Sequence, residues 1–312
     1  MKKRALIIDC DPGHDDALML MLAVGCDLFD IKAITVSAGN QTQEKTLSNA
    51  LKILTLIEAD IPVYRGAEKP LFRDLIVADY AHGETGLNAP SLPVVTREPA
   101  QGSAIEAIAK IVKEANEGVT IVPTGPLTNI ATFLLAYPDL KNRIDRISLM
   151  GGGIFRGNMT PLAEFNIYCD PEAAAIVFNS GIPITMCGLD VTHKALVYQK
   201  DIDHFRAIGN KSGNAAADLM DFFSVYYREH HTELEGGAAL HDPCAIAWLI
   251  NPSVFATKPC YVDVETKGEL TTGATVVDFY NTLQRKPNTE VADNINREAY
   301  MEMIYQAVKR LP

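Results

Sequence analysis

Along the chain, short apolar runs rich in β-branched residues alternate with longer segments in which apolar positions recur at helical spacing. The runs at 5–8, 31–36, 119–122, 147–150 and 184–187 have the length and composition of buried strands. Between them, helical patterns cover 15–24, 46–58, 104–115, 129–136 and 171–179. This alternation predicts an α/β fold, an open and mainly parallel sheet with helices on both faces. Beyond 187 the pattern is less regular. Helices are predicted over 213–235, 243–249 and 297–311, and a strand or hairpin over 261–279. No repeat, low-complexity tract or Ser/Gly linker divides the chain, so residues 1–312 are expected to form one domain.

In an open parallel sheet, ligands bind beyond the carboxyl ends of the strands, where loops diverge and helix N-termini face the crevice. Asp9, Asp11, Asp15 and Asp16 follow the first predicted strand, Asn40 the second, Thr124 the third, and Gly151-Gly152-Gly153 the fourth. They are expected to converge on one sheet edge. The segment Asp9-Cys10-Asp11-Pro12-Gly13-His14-Asp15-Asp16 places four carboxylates within eight residues around a Pro-Gly turn. Hard oxygen donors without zinc-type His/Cys spacing suit Ca²⁺ or Mg²⁺. The helix dipole alone accounts for acidic residues in a first turn, and so for Asp15 and Asp16. It does not account for Asp9 and Asp11, whose charges add to the repulsion.

Two further groups stand out. Asn158 with Ala163-Glu164-Phe165-Asn166 offers donors and acceptors for vicinal hydroxyls, or a polar surface loop after the glycines. In His241-Asp242-Pro243, local rules already explain Asp242 as a helix N-cap followed by Pro at the first helical position.

The formal charge of −11, with no basic run longer than Lys2-Lys3-Arg4, argues against a surface for nucleic acid and favours a small neutral or sugar-like substrate. The apolar run after Arg4 is interrupted at Asp9, too early for a secretory or membrane segment. Cys10, Cys26, Cys169, Cys187, Cys244 and Cys260 lack CxxC spacing and read as free buried thiols in a reducing, cytoplasmic compartment. Neither a dinucleotide-binding nor a P-loop glycine motif is present.

Taken in order, DCDPGHDD at 9–16, AGNQT at 38–42, HGETGL at 82–87, PTGPLTN at 123–129, MGGG at 150–153, AEFNIYCDPEAA at 163–174 and LHDP at 240–243 resemble the inosine-uridine type nucleoside hydrolase family. Within it, the resemblance is to bacterial ribonucleoside hydrolases that prefer pyrimidines. It implies a Rossmann-like nucleoside hydrolase fold, a small-molecule nucleoside substrate, a Ca²⁺ cofactor and a homotetramer. Carried over by position, Asp11, Asp16, the Thr124 carbonyl and Asp242 match the Ca²⁺ ligands, and Asp11 also matches the general base. Asp15, Asn40, Asn158, Glu164, Asn166 and Asp242 match the ribose-binding set, Met150 and Phe165 the apolar sugar-pocket residues, and His82 and His241 the histidines near the departing base.

Glycosidic cleavage through an oxocarbenium-like transition state needs activated water, a held sugar and a protonated leaving group. The resemblance assigns the first two to the ion and Asp11. Histidine suits the third near neutral pH, which makes His241 and His82 the candidates. His82, beside Gly83, also reads as a surface-loop histidine, and His241 as one bonded to backbone. Tyr227 and His231, one helical turn apart, are candidates for base contacts, or else part of an amphipathic helix's core face. Relatives that prefer pyrimidines often carry Gln and Tyr in this region, and this chain departs from that pattern.

Other chemistries fit less well. An aspartyl-phosphate phosphohydrolase using Mg²⁺ wants a small hydroxyl residue where Gly13 stands, and Asp15-Asp16 would repel phosphate. A nucleoside phosphorylase needs cations around its phosphate. A ligand-sensing pocket without turnover leaves Asp11 unused.

Overall fold

The structure, a computed structural model, describes residues 3–312; Lys2 of the opening basic trio lies outside them. Eight strands make the main sheet: β1 Arg4–Cys10, β2 Phe29–Val36, β3 Val63–Arg65, β4 Val119–Pro123, β5 Ile144–Met150, β6 Ile184–Cys187, β7 Phe255–Cys260 and β8 Thr289–Ile295. Their order is β3-β2-β1-β4-β5-β6-β8-β7. Every neighbouring pair is parallel except β8 with β7, which closes one edge antiparallel.

Each strand side chain goes to one of two cores. Leu6, Ile8 and Cys10 of β1 pack with the helices His14–Gly25, Gln43–Leu56, Lys211–His230, Pro243–Ile250 and Arg297–Lys309. Ile7 enters the opposite core with Ala104–Glu114, Thr128–Ala136 and Pro171–Phe178. Burial on both faces is why these strands read as continuous apolar runs rather than as an alternation.

All five strands expected from the pattern are present, as β1, β2, β4, β5 and β6, and the 261–279 segment contains an antiparallel pair, Val262–Val264 with Thr275–Val277. The expected 213–235 helix runs Lys211–His230 instead. It starts where Asn210 caps the Gly213 N–H and stops before a separate 3₁₀ turn, Thr232–Leu234. The pattern did not reveal β8, although it lies inside the sheet, because Glu290 and Asp293 break its apolar character. All six cysteines are free, and all but Cys26 are buried. Among the described residues, no helix is long and apolar enough to cross a membrane.

Candidate active site

The strand order reverses direction between β1 and β4, which makes their carboxyl ends the switch point where an open sheet leaves a crevice. A pocket opens there. Its polar lining comprises Asp15, Asn40, Thr124, Asn158, Glu164, Asn166 and Asp242. A wall of rings faces it, running from Tyr80 through Tyr226 and Tyr227 to His231, His193 and His241, with His82 and Phe223 alongside. Met150 and Phe165 complete the lining. Every anticipated site residue therefore meets this pocket except Asp11 and Asp16, which are fully buried behind its polar part.

The carboxylates converge from loops far apart in sequence. Asp16 Oδ2 accepts the Gly13 N–H at 2.9 Å and Asn40 Nδ2 at 3.3 Å, while Oδ1 accepts the Thr124 hydroxyl at 2.8 Å. Oxygens of Asp15, Asp16 and Asp242 all lie within 4.8 Å of one another. Asp242 occupies the N-cap position before Pro243, yet its side chain makes no capping bond. Helix capping, sufficient as an explanation from sequence, is not what this carboxylate does.

Asp11 is fixed differently. Its Oδ2 accepts the Asn40 N–H at 2.6 Å, and its Oδ1 is buried without a partner among the described residues. A Cβ on Gly39 would stand 2.0 Å from Oδ2, and one on Gly125 2.6 Å from Oδ1. Two glycines thus vacate the space that this carboxylate fills. Asp9 is bonded elsewhere, and its Oδ2 is buried without a partner among the described residues. Thr35 and Asn129 donate to its Oδ1, at 2.5 and 2.8 Å, so it ties β1 to β2 and to the Thr128–Ala136 helix.

Burial and mutual repulsion push Asp15 up to about 7 and raise Asp11 and Asp242 well above the usual carboxylate range. An orphaned oxygen and three close carboxylates make a hard, oxygen-only donor set whose repulsion a cation relieves, so the residues present fit a hard divalent cation. The tightest cluster contains Asp15, whereas the motif carry-over gave the ion to Asp11, Asp16, Thr124 and Asp242 and gave Asp15 to the sugar. The Thr124 carbonyl accepts Asn166 Nδ2 at 2.8 Å.

Glu164 caps the short Phe165–Cys169 helix. It accepts the N–H groups of Asn166 and Ile167, and that of Gly152 at 2.8 Å, while burial holds it at about 7. Asn158 accepts the Phe165 N–H at 2.9 Å. These bonds lock the loop that carries the polar lining.

In the ring wall, His241 is held on both sides. Its Nε2 lies 2.5 Å from the Tyr227 hydroxyl and its Nδ1 2.7 Å from Thr192 Oγ1. Burial keeps His241 well below the usual histidine range and Tyr227 well above the usual phenol range, so both are neutral near pH 7. His82 is no surface residue. It ends the Asp79–His82 helix, its Nδ1 is 3.2 Å from that of His14, and burial lowers it to about 4. His231 Nδ1 faces Glu233 at 3.2 Å.

Sequence reasoning missed Tyr80 and His193 in the lining, and Thr192 behind His241. Tyr80 lies in the four-residue Asp79–His82 helix, and Thr192 ends, with His193 just beyond, the equally short Leu189–Thr192 helix, so in neither place is there enough periodicity to register. Among the described residues, no lysine or arginine lines the pocket.

Residues 6–302 match the family model for inosine-uridine preferring nucleoside hydrolase. The chain is 55% identical over 302 residues to the pyrimidine-specific ribonucleoside hydrolase RihA of Photobacterium profundum, covering 96% of this chain and 97% of the relative. It is 52% identical over 305 residues to the protein of the same name from Salmonella enteritidis, covering 97% and 98%. Among solved structures, the purine-preferring ribonucleoside hydrolase from Gardnerella vaginalis superposes with a TM-score of 0.92 at 33% identity, over 98% of each chain.

Proposed function

Because the chain belongs to the inosine-uridine preferring nucleoside hydrolase family, we propose that this ribonucleoside hydrolase acts on pyrimidine ribonucleosides, cleaving uridine or cytidine to ribose and free base with Ca²⁺ as cofactor. The observation that carries this reading is the division of one pocket into a carboxylate-and-amide part suited to a ribose and a wall of rings suited to a nucleobase. In the balanced reaction the C1′–N bond breaks, the water oxygen and one hydrogen go to C1′, and the other hydrogen goes to the base. That no lysine or arginine among the described residues lines the pocket argues for water rather than phosphate as the acceptor.

Asp15, Asp16 and Asp242, with Asp11 and the Thr124 carbonyl beside them, are the donors that would hold the ion. When bound, it would supply charge to polarise water and to grip vicinal hydroxyls. Asp11 presents its unpartnered Oδ1 as the base that takes a proton from the attacking water, while Asn40 fixes the opposite oxygen. Asn40 and Asn166 spend their amide N–H groups inside the protein, which leaves each side-chain oxygen free for a sugar hydroxyl. The buried carboxylates also favour the positive charge that develops on the ring.

Protonation of the base falls to the opposite wall. In this reading Thr192 donates to Nδ1, so the His241 ring carries its proton on Nε2, donates to the Tyr227 oxygen and leaves the phenol O–H for the departing base. His82, neutral and engaged with His14, contributes a hydrogen bond rather than charge.

The test is kcat/KM for uridine, cytidine, inosine and adenosine, read as ribose released. Pyrimidine values at least tenfold above purine values support the assignment. Equal or higher values for inosine overturn the base preference and leave the hydrolase reading standing.

A further inference from the structure

His193 lines the pocket, yet the reaction described above gives it no task. It follows the short Leu189–Thr192 helix and is only 7% exposed. Its neighbours in the ring wall are occupied: His241 by Thr192 and Tyr227, and His231 by Glu233. His193 differs. Its Nδ1 is buried without a partner, and no hydrogen bond from a described residue engages Nε2. Buried polar groups are nearly always paired, so an imidazole free at both nitrogens in a pocket wall expects its partner from the ligand.

Position identifies which part of the ligand. The His193 ring stands 5.6 Å from that of His241 and 6.1 Å from that of His231, within the wall of rings that the proposed function gives to the nucleobase. Its chemistry agrees. Burial, with help from the nearby Arg156 charge, lowers His193 to about 4, so at neutral pH the ring has one N–H donor and one bare nitrogen acceptor. Uracil and cytosine present carbonyl, ring-nitrogen and amino groups along their edges, which such a ring can meet as either donor or acceptor.

We propose that His193 is a base-reading residue that hydrogen-bonds the heteroatom edge of the pyrimidine. This rests on the reading of the pocket as a nucleoside site and adds to it a residue that selects the base. A bond of this kind depends on the leaving group and not on the sugar.

The experiment compares wild type, His193→Phe and His193→Gln, each Ca²⁺-loaded, on uridine and on p-nitrophenyl riboside. His193→Phe keeps a ring of similar size without nitrogens, and His193→Gln restores an amide close to Nε2. Losing a buried hydrogen bond to substrate predicts a fall of about 10- to 100-fold in uridine kcat/KM for His193→Phe. Turnover of p-nitrophenyl riboside should stay within about twofold, and His193→Gln should recover part of the uridine loss. Equal losses on both substrates would mark His193 as merely structural, and an unchanged uridine value would show that it does not touch the base; either overturns the inference alone. A wild type that releases no ribose from either substrate overturns the parent reading, and the inference with it.

Discussion

The phenol oxygen of Tyr227 lies 2.5 Å from Nε2 of His241, and Thr192 holds the other ring nitrogen at 2.7 Å. A neutral imidazole between two hydroxyls is a poor acid by itself but a good conduit for a proton. On the proposed reading Tyr227 delivers the proton from its own hydroxyl, and the His241 N–H stabilises the phenolate oxygen until solvent returns a proton to it.

Tyr227→Phe keeps the ring contacts with Phe223 and His231 and removes only the hydroxyl. General-acid catalysis typically contributes about 10²–10⁴-fold, so kcat on uridine should fall within that range. His241→Ala should do the same. Both variants should be far less impaired on p-nitrophenyl riboside, whose leaving group needs no proton. Matching losses on the two substrates would remove the pair from acid catalysis.

The space around Asp11 yields a second expectation. Gly39→Ala and Gly125→Ala put a methyl group where the Asp11 carboxylate sits, at 2.0 and 2.6 Å, so the carboxylate must move. Each should cost at least about 100-fold in kcat, as misplacement of a reacting group by about 1 Å does. Asp11→Ala should abolish turnover. Circular dichroism should report a retained fold in all three, and a variant at full rate would dissociate Asp11 from the chemistry.

Asp242 makes no capping bond, so Asp242→Asn should not carry the ~1 kcal/mol cost of a lost helix cap. Relief of carboxylate repulsion should instead leave the metal-free Tm equal or higher. Ca²⁺ should raise the Tm of the wild type and leave that of the variant unchanged, because a ligand stabilises only a fold that binds it. An unchanged Ca²⁺-dependent shift would place the ion elsewhere.

Stability should also depend on pH through His82. Its folded-state value is about 4, against 6.5 for an ordinary histidine, with burial as the cause. Between those values the unfolded chain binds a proton that the folded chain refuses. The contribution is therefore fully present above pH 6.5 and is lost as pH falls toward 4. Urea unfolding of His82→Phe should lose less stability than wild type between pH 7 and pH 5. Parallel profiles would contradict a buried neutral His82.

Sequence carried much of this architecture because its strands are buried on both faces. Runs such as 5–8 and 147–150 advertise themselves, and the switch point places Asp11, Asn40 and Thr124 at one edge. β8 escaped notice because Glu290 and Asp293 interrupt it, and its sheet neighbours β6 and β7 are remote in sequence. Asp242 was ambiguous because a cap and a metal-site carboxylate look alike locally; only the distance to Asp15 and Asp16 separates them. Asp9 looked like part of that cluster and proved to brace the sheet instead, since spacing along a strand does not tell which way a carboxylate turns. Neither Thr192 nor His193 could be read at all, because their meaning lies in what their side chains do or do not touch.

The most direct test is ribose release from uridine in phosphate-free buffer, before stringent chelation, after it, and after Ca²⁺ is returned. Hydrolysis at a carboxylate-held ion predicts ribose without phosphate, loss of turnover on chelation and recovery with Ca²⁺. Ribose formation that requires phosphate, or that continues at full rate after chelation, would contradict it.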